Sequence, residues 1–172
     1  MKKIFLLLAV VGMTFLQGCE GDPGPVGPTG YSAESQVLEI TNVNFIAPSF
    51  GVFIPYGFEA LETDHVLVYR LSGNDEGDDV WQLLPQNYYF TDGTFDFGYN
   101  YDSTFYDTNV YLDGQDLGTV PEASRLNQRL RVVIVPGSFA NRAAQSTDYE
   151  TVTKSLNITE ADFKKSSRPY QQ

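Results

Sequence analysis

A strict alternation of aromatic residues with small or polar ones constrains most strongly how this chain can fold. In residues 95–102 every odd position is aromatic and every even position is small or polar. A period of two places all four rings on one face of a β-strand. Asp92-Gly93, just before it, is typical of a hairpin turn because both residues tolerate a positive φ. The sequence therefore predicts a hairpin of strands 87–90 and 95–102.

Short apolar runs with the same character extend over most of the chain. From residue 36 to residue 135, aromatic and β-branched residues recur between Gly, Pro, Asn and Asp, without the spacing of a long helix. Further strands are predicted at 37–45, 51–58, 65–71, 80–84, 105–112 and 129–135, with an optional return strand at 115–120. Seven or eight short strands in about 100 residues are typical of a sandwich. The predicted fold class is all-β (mostly), an antiparallel β-sandwich.

The pattern changes after residue 137. Residues 138–145 fit a short helix, and residues 148–156 carry apolar side chains at helical spacing. Residues 151–158 also alternate loosely, so a strand is the alternative there. One or two short helices near the C-terminus are expected, and the basic tail at 163–172 is expected to be disordered.

The charge balance limits the classes of partner. Lys+Arg 11 against Asp+Glu 22 gives a net charge of -11, which disfavours nucleic acid because nucleic acid is itself a polyanion. Residues 59–122 carry fourteen acidic residues and only Arg70 as a base. One Cys excludes a disulfide within the chain, and one His makes a zinc site or His-dependent catalysis a poor hypothesis.

The N-terminus predicts export and lipid anchoring. A basic start precedes an apolar run at 4–15, which is short for a transmembrane helix and typical of a signal peptide. Leu16 and Gly18 then precede Cys19, the sole cysteine of the chain. This arrangement resembles the lipobox of bacterial lipoproteins. The resemblance implies that residues 1–18 are removed and that Cys19 carries the acyl chains.

A short collagen-like stub follows the cysteine. Residues 21–29 form three Gly-X-Y triplets, and a collagen triple helix requires glycine at every third position. Three triplets are too few to hold a trimer alone, so residues 19–30 are predicted to be a stiff spacer, with a trimerising stub as the alternative. Cysteine followed by such triplets and an aromatic-rich domain, here 31–162, is similar to a recurring set of Bacteroidota lipoproteins. That resemblance implies no particular activity.

The densest acidic run lies between two predicted strands. Asp75, Glu76, Asp78 and Asp79 surround Gly77, and oxygen ligands on a glycine-containing loop are what Ca²⁺ prefers. The run lacks the alternating acidic spacing and the distal Glu of an EF-hand loop. A solvated hairpin turn uses the same residue types, so the sequence favours a plain turn, with a calcium site as the alternative.

Aromatic residues supply a second candidate site. Rings that stack on sugars are typical of glycan-binding surfaces, and Tyr99, Tyr101 and Trp81 are the candidate ligand residues of this chain. An aromatic face on a half-buried strand is, however, usually core. The sequence favours core packing for this row, with a glycan-binding face as the alternative.

No catalytic motif accompanies these features. The chain has no Gly-rich phosphate loop, serine elbow or metalloprotease helix motif. The sequence predicts a non-enzymatic cell-envelope lipoprotein, anchored to the outer membrane, that acts as a structural or protein-interaction module. It predicts no cofactor apart from the lipid on Cys19. The alternative function is that of a carbohydrate-binding surface lipoprotein, and the periplasmic or surface orientation stays open.

Overall fold

Ten β-strands and a few short helices make up the computed structural model, which describes residues 35–139, 148–166 and 170–171. The strands are β1 (Gln36–Val43), β2 (Gly51–Pro55), β3 (His65–Asp75), β4 (Asp78–Leu83), β5 (Gln86–Tyr89), β6 (Phe95–Ser103), β7 (Asp107–Gly114), β8 (Gln128–Val135), β9 (Lys164–Ser166) and β10 (Tyr170–Gln171). The helices are α1 (Glu122–Arg125), α2 (Tyr149–Ser155) and a 3₁₀ helix (Glu160–Asp162). The predicted signal peptide, Cys19, the Gly-X-Y stub and most of the helix predicted at 138–145 lie outside the described residues.

The strands form two five-stranded sheets. Sheet I has the order β4-β3-β8-β1-β9, and sheet II has the order β10-β2-β7-β6-β5. Within the described ranges every pairing is antiparallel except that of β9 with β1. The predicted fold class, a mostly all-β antiparallel sandwich with few short helices, is confirmed. The predicted hairpin of 87–90 and 95–102 is present as β5 and β6.

The inner faces of the two sheets share one hydrophobic core. It contains Val68 and Val132 from sheet I and Val52, Tyr99 and Val110 from sheet II, each exposing at most 1% of its surface. These residues meet because successive side chains of a strand leave opposite faces of the sheet. Burying each apolar side chain contributes about 1.5–3 kcal/mol, so this core holds the sheets together.

Sheet I is covered on its outer face as well. Residues 148–166, which we call the C-terminal cover, pack Val152 and Phe163 against Val133 and its outer-face neighbours. Strand β8 is consequently buried on both sides, and Arg129 is its one residue that is not buried. The outer face of sheet II has no such layer in the part of the chain that the structure describes.

The C-terminal tail is paired rather than frayed. Phe163 is 6% exposed, and Lys164–Ser166 pairs with β1 in parallel. Tyr170–Gln171 pairs with β2 in the other sheet. The prediction of a disordered tail is therefore wrong for these residues, because the tail begins with an apolar anchor that packs onto sheet I.

The sequence allowed more than one secondary structure for two further segments. Residues 149–155 form α2 rather than a strand, and the Asp148 carboxylate caps this helix by accepting a hydrogen bond from Thr151 N. Residues 115–120 form turns instead of a return strand. Among the described residues, no helix is both long enough and apolar enough to cross a membrane.

Candidate functional site

The outer face of sheet II is a polar surface built by two neighbouring strands. Its residues on β6 and β7 are Asp96, Gly98, Asn100, Asp102, Asp107, Asn109, Tyr111 and Asp113. They point outward because the residues between them, such as Phe97 and Val110, lie in the core. Together with Phe53 of β2 and Asn87 of β5, we call this surface the open face.

Strand register places two rings and two amides at the centre of the open face. Tyr111 lies opposite Gly51 on one side and Asn100 on the other. Asn109, two residues before Tyr111, lies opposite Phe53. Directly opposed residues in neighbouring strands have Cβ atoms about 4.5–5.5 Å apart, so these side chains form one continuous central strip.

Aspartates flank the central strip at both ends. Asp113 is paired with Gly98, and Asp96 lies two residues further along β6. At the other end, Asp107 is the first residue of β7 and Asp102 is paired with Asn109. At about 3.4 Å per residue, Asp107 and Asp113 lie roughly 20 Å apart.

Two glycines of the open face have neighbouring side chains packed close to them. A Cβ atom placed on Gly98 would lie 2.6 Å from Oδ1 of Asn87, so the Asn87 amide extends over this glycine. A Cβ atom on Gly51 would lie 3.4 Å from Cβ of Tyr111. The Asn87 amide therefore lies over Gly98, and Tyr111 leaves the sheet on the same face as Gly51, beside it.

The amides of the open face have unused hydrogen-bonding capacity. Within residues 35–139, 148–166 and 170–171, the side chains of Asn87, Asn100 and Asn109 make no hydrogen bond to another residue. Each amide offers two donor hydrogens and an acceptor oxygen with two lone pairs. The face can therefore both donate hydrogen bonds to an external group and accept them from it.

The one base in this part of the sequence is buried between the sheets. Arg70 is 8% exposed, and its guanidinium donates to Oε1 of Gln86 at 3.0 Å, to Oε1 of Gln128 at 2.9 Å and to the hydroxyl of Tyr88 at 2.6 Å. All three partners are neutral. Because Arg70 points inward, no exposed Lys or Arg of residues 51–121 lies beside the carboxylates of the open face.

The outer face of sheet I is closed by a buried ion-pair cluster. Arg131 is 2% exposed, and its guanidinium carbon lies 4.1 Å from the ring centroids of both Trp81 and Phe163. It donates to Oε2 of Glu39 at 2.7 Å and to the two carboxylate oxygens of Glu160 at 2.8 and 2.5 Å. Burial raises the pKa of Glu39, but hydrogen bonds from its arginine partners outweigh burial and hold the pKa below its usual value. The cluster fastens the C-terminal cover to sheet I.

A cavity of about 640 Å³ lies at the edge of the C-terminal cover. Val37, Leu156 and Ile158 contribute apolar wall, while Gln36 and Lys164 contribute polar groups. The Lys164 ammonium donates to Oε1 of Gln36 at 2.9 Å. The volume suits a small molecule, but the hydrogen bond between Gln36 and Lys164 occupies two of the polar groups that a ligand would use.

The three rings nominated for glycan binding do not share an exposed surface. Tyr99 is 1% exposed in the core, and Tyr101 is half-buried on the same inner face; both hydroxyls donate to backbone carbonyls. Trp81 is 8% exposed on the other side of sheet I, against Arg131. The alternative of a glycan-binding face at these residues is therefore wrong, because their strands turn the rings towards covered layers.

The acidic run at 75–79 forms a tight turn between β3 and β4. Glu76 and Gly77 occupy the turn with φ values of 50° and 106°, and Asp75 is paired with Asp78 across it. Asp79 instead lies 3.1 Å from an arginine of β8. Across the described ranges, no group of three or more His, Cys, Asp or Glu residues is arranged to hold a metal ion. The turn accounts for the glycine and for the polar residues around it.

The residues that give each outer face its character were not among those predicted from the sequence. The even positions of 95–102 already signalled an outward polar row, and the alternation in 107–113 carries the same signal for β7. The cluster of Arg131, Glu39 and Glu160 had no comparable signal. Its members are far apart in the chain, and only the sheet and the cover bring them together.

Comparisons with known proteins do not assign a function to this arrangement. No family model, no curated protein and no solved structure matches the chain. The geometry and charge of the open face and the motif around Cys19 are therefore the features that bear on function.

Proposed function

We propose that the chain is a lipid-anchored protein of the bacterial cell envelope whose β-sandwich is a non-catalytic module that binds a protein partner. The observation that carries the proposal is the contrast between the two outer faces. The C-terminal cover seals sheet I, whereas sheet II presents the unpaired amides and carboxylates of the open face. Polar groups of this kind supply the hydrogen bonds that protein–protein interfaces require.

The sequence around Cys19 supports the anchoring half of the proposal. Leu16, Gly18 and Cys19 follow the arrangement of a lipobox. Acylation at both the thiol and the new amino group would satisfy the requirement that stable anchoring takes more than one chain. The Gly/Pro stretch at 19–30 would then act as a spacer between lipid and domain, with the outer membrane as the attachment site.

Carbohydrate binding is the second candidate function, and the central strip of the open face favours it. Tyr111 and Phe53 supply rings, and Asn100 and Asn109 supply amides beside them. Rings pack against the apolar faces of sugars, and amides can bond to sugar hydroxyls in both directions. This candidate uses a different set of residues from the rings nominated in the sequence.

Anchoring and partner contact can be tested in the same cells. The full chain would carry a photo-cross-linking residue at Asn100, in the centre of the open face, or at Lys154, an exposed control position on α2. We expect the protein to pellet with membranes after a high-salt wash, and the Asn100 probe to give a discrete protein adduct that the Lys154 probe does not give. Cys19→Ser is expected to release the protein into the soluble fraction.

Each half of the proposal has its own contradicting result. Cys19→Ser removes the only thiol of the chain and changes no residue of the described sandwich, so a variant that still pellets after the wash would contradict the lipid anchor. Equal adducts from both probe positions, or none from Asn100, would contradict partner binding by the open face.

A further inference from the structure

Among the described residues, the exposed bases lie on one side of the sandwich, whereas exposed acids lie on both. The bases of the described ranges that are at least partly exposed are Arg125, Arg129, Lys154, Lys164 and Lys165. All five belong to sheet I, to α1 or to the C-terminal cover. Residues 51–121, which include β2, β5, β6 and β7, contain one base, the buried Arg70. Within the described residues, sheet II and its turns therefore expose acids and no Lys or Arg.

The carboxylates of the open face are not neutralised by any described residue. The ion pairs of the described ranges involve other acids, and none includes Asp96, Asp102, Asp107 or Asp113. A surface of one sign accelerates encounter with a partner of the opposite sign and penalises partners of the same sign. Charge complementarity therefore selects a positively charged partner for this face.

We infer that the open face docks an extended, cationic segment of a protein partner. This inference rests on the proposed function and names the chemistry of the partner. Asp107 and Asp113 lie six residues apart on β7, roughly 20 Å in an extended chain. Basic side chains at positions i and i+6 of a partner strand have the same spacing, and they leave the same face because six is even.

The neutral centre of the open face fits the middle of such a segment. Asn100 and Asn109 present amides that can pair with exposed backbone groups of the partner. Tyr111 and Phe53 provide ring surface for contact with aliphatic side-chain stems. The partner is therefore specified by two basic ends around a middle that makes hydrogen bonds and apolar contacts.

Two synthetic peptides test the inference. One carries lysines at i and i+6 in an extended, β-prone sequence, and its twin carries glutamine at both positions. With the full chain in detergent, we expect the lysine peptide to bind in a salt-sensitive manner and the glutamine peptide to bind at least about tenfold more weakly. Asp107→Asn combined with Asp113→Asn should weaken lysine-peptide binding by a similar factor.

A matched variant separates local recognition from net charge. Asp75→Asn combined with Asp78→Asn removes the same charge from the β3–β4 turn, where both residues are exposed, and should leave peptide binding unchanged. Equal weakening by the two double variants, or equal binding of both peptides, would overturn the inference. Circular dichroism of each variant confirms that the sandwich is retained.

A neutral β-glucan oligosaccharide, used as a third probe, distinguishes failure of the inference from failure of the proposed function. One outcome would be that the sugar binds, that Tyr111→Ala abolishes sugar binding, and that the lysine peptide does not bind. In that case the inferred cationic partner is wrong, and carbohydrate binding becomes the function of the open face. If neither peptide nor sugar binds while the Asn100 probe still gives a protein adduct in cells, the inference fails but partner binding stands. If the adduct is absent too, both fail.

Discussion

Arg131 and Arg70 are both buried, but their partners differ in charge. Arg131 meets the carboxylates of Glu39 and Glu160 between two aromatic rings. Arg70 meets two glutamine amides and a tyrosine hydroxyl. A buried charge costs several kcal/mol unless it is paired and hydrogen-bonded. At the residue scale, one arginine therefore fastens the C-terminal cover. The other, the one Lys or Arg of residues 51–121, is buried and adds no positive charge to the open face.

Glu39→Gln is expected to remove a pH-dependent part of the stability. The folded pKa of Glu39 lies below its ordinary value of 4.5, so its ionised form favours the folded state. That contribution is fully present above the unfolded pKa and is lost as the pH falls through the lower, folded pKa. Loss of one charge from a buried pair costs up to roughly 3–5 kcal/mol at neutral pH.

The measurement is the free energy of unfolding of the wild type and of Glu39→Gln in urea. Unfolding is monitored by far-ultraviolet circular dichroism at about pH 7 and at about pH 2. The difference in free energy of unfolding between the two proteins should shrink at the lower pH. Glu150→Gln, in an exposed pair with Lys154, is the matched control. A difference for Glu39→Gln that does not change with pH would contradict the role assigned to its charge.

At the element scale, alternation predicted the strands well where each strand has one covered face. The run at 95–102 corresponds to β6, which ends one residue later, because its rings face the core and its polar residues face outward. Strand β8 differs in that both of its faces are covered. The outer face of β8 is covered by residues 148–166, which are distant in the sequence. The local pattern of β8 therefore could not predict that Arg131 is buried.

The β3–β4 hairpin gives a prediction about backbone strain. Gly77 has a φ of +106°, which side chains with a Cβ rarely adopt, so Gly77→Ala should lower the free energy of unfolding by about 1–2 kcal/mol. Gly73 in β3 is the matched control, since its φ is ordinary and a Cβ there meets nothing within 4 Å. Urea unfolding of the two variants measures the contrast, and equal stabilities would show that the turn does not require glycine.

At the scale of the whole molecule, the C-terminus links features that are distant in sequence. The C-terminal cover seals the outer face of sheet I, β9 extends that sheet beside β1, and β10 pairs with β2 in sheet II. Among the described residues, the exposed Lys and Arg side chains lie on the sheet I side, whereas the open face of sheet II carries acids without them. The two outer faces therefore differ in cover and in charge, and this asymmetry is the basis of the proposed function.

Ending the chain at residue 162 is expected to lower the melting temperature strongly. The truncation removes Phe163, which is 6% exposed and packs against Arg131, together with both terminal strands. Loss of a buried Phe side chain alone costs about 3–5 kcal/mol, so Phe163→Ala should reproduce much of the effect. Lys165→Ala, at an exposed position of β9, should have the same melting temperature as the wild type in scanning calorimetry. A truncated chain as stable as the full one would mean that the tail is dispensable.

Strands β1 to β8, the all-β class and the turn at 75–79 could all be predicted from the chain's local pattern. These features depend on neighbours in the chain, on a period of two and on residues that tolerate a positive φ. Which sheet face is covered follows instead from the packing of distant segments, and that packing buries Tyr99 and Trp81 while Tyr111 lies on the open face. The physical reason is that burial of a sheet face depends on which distant segment packs on it.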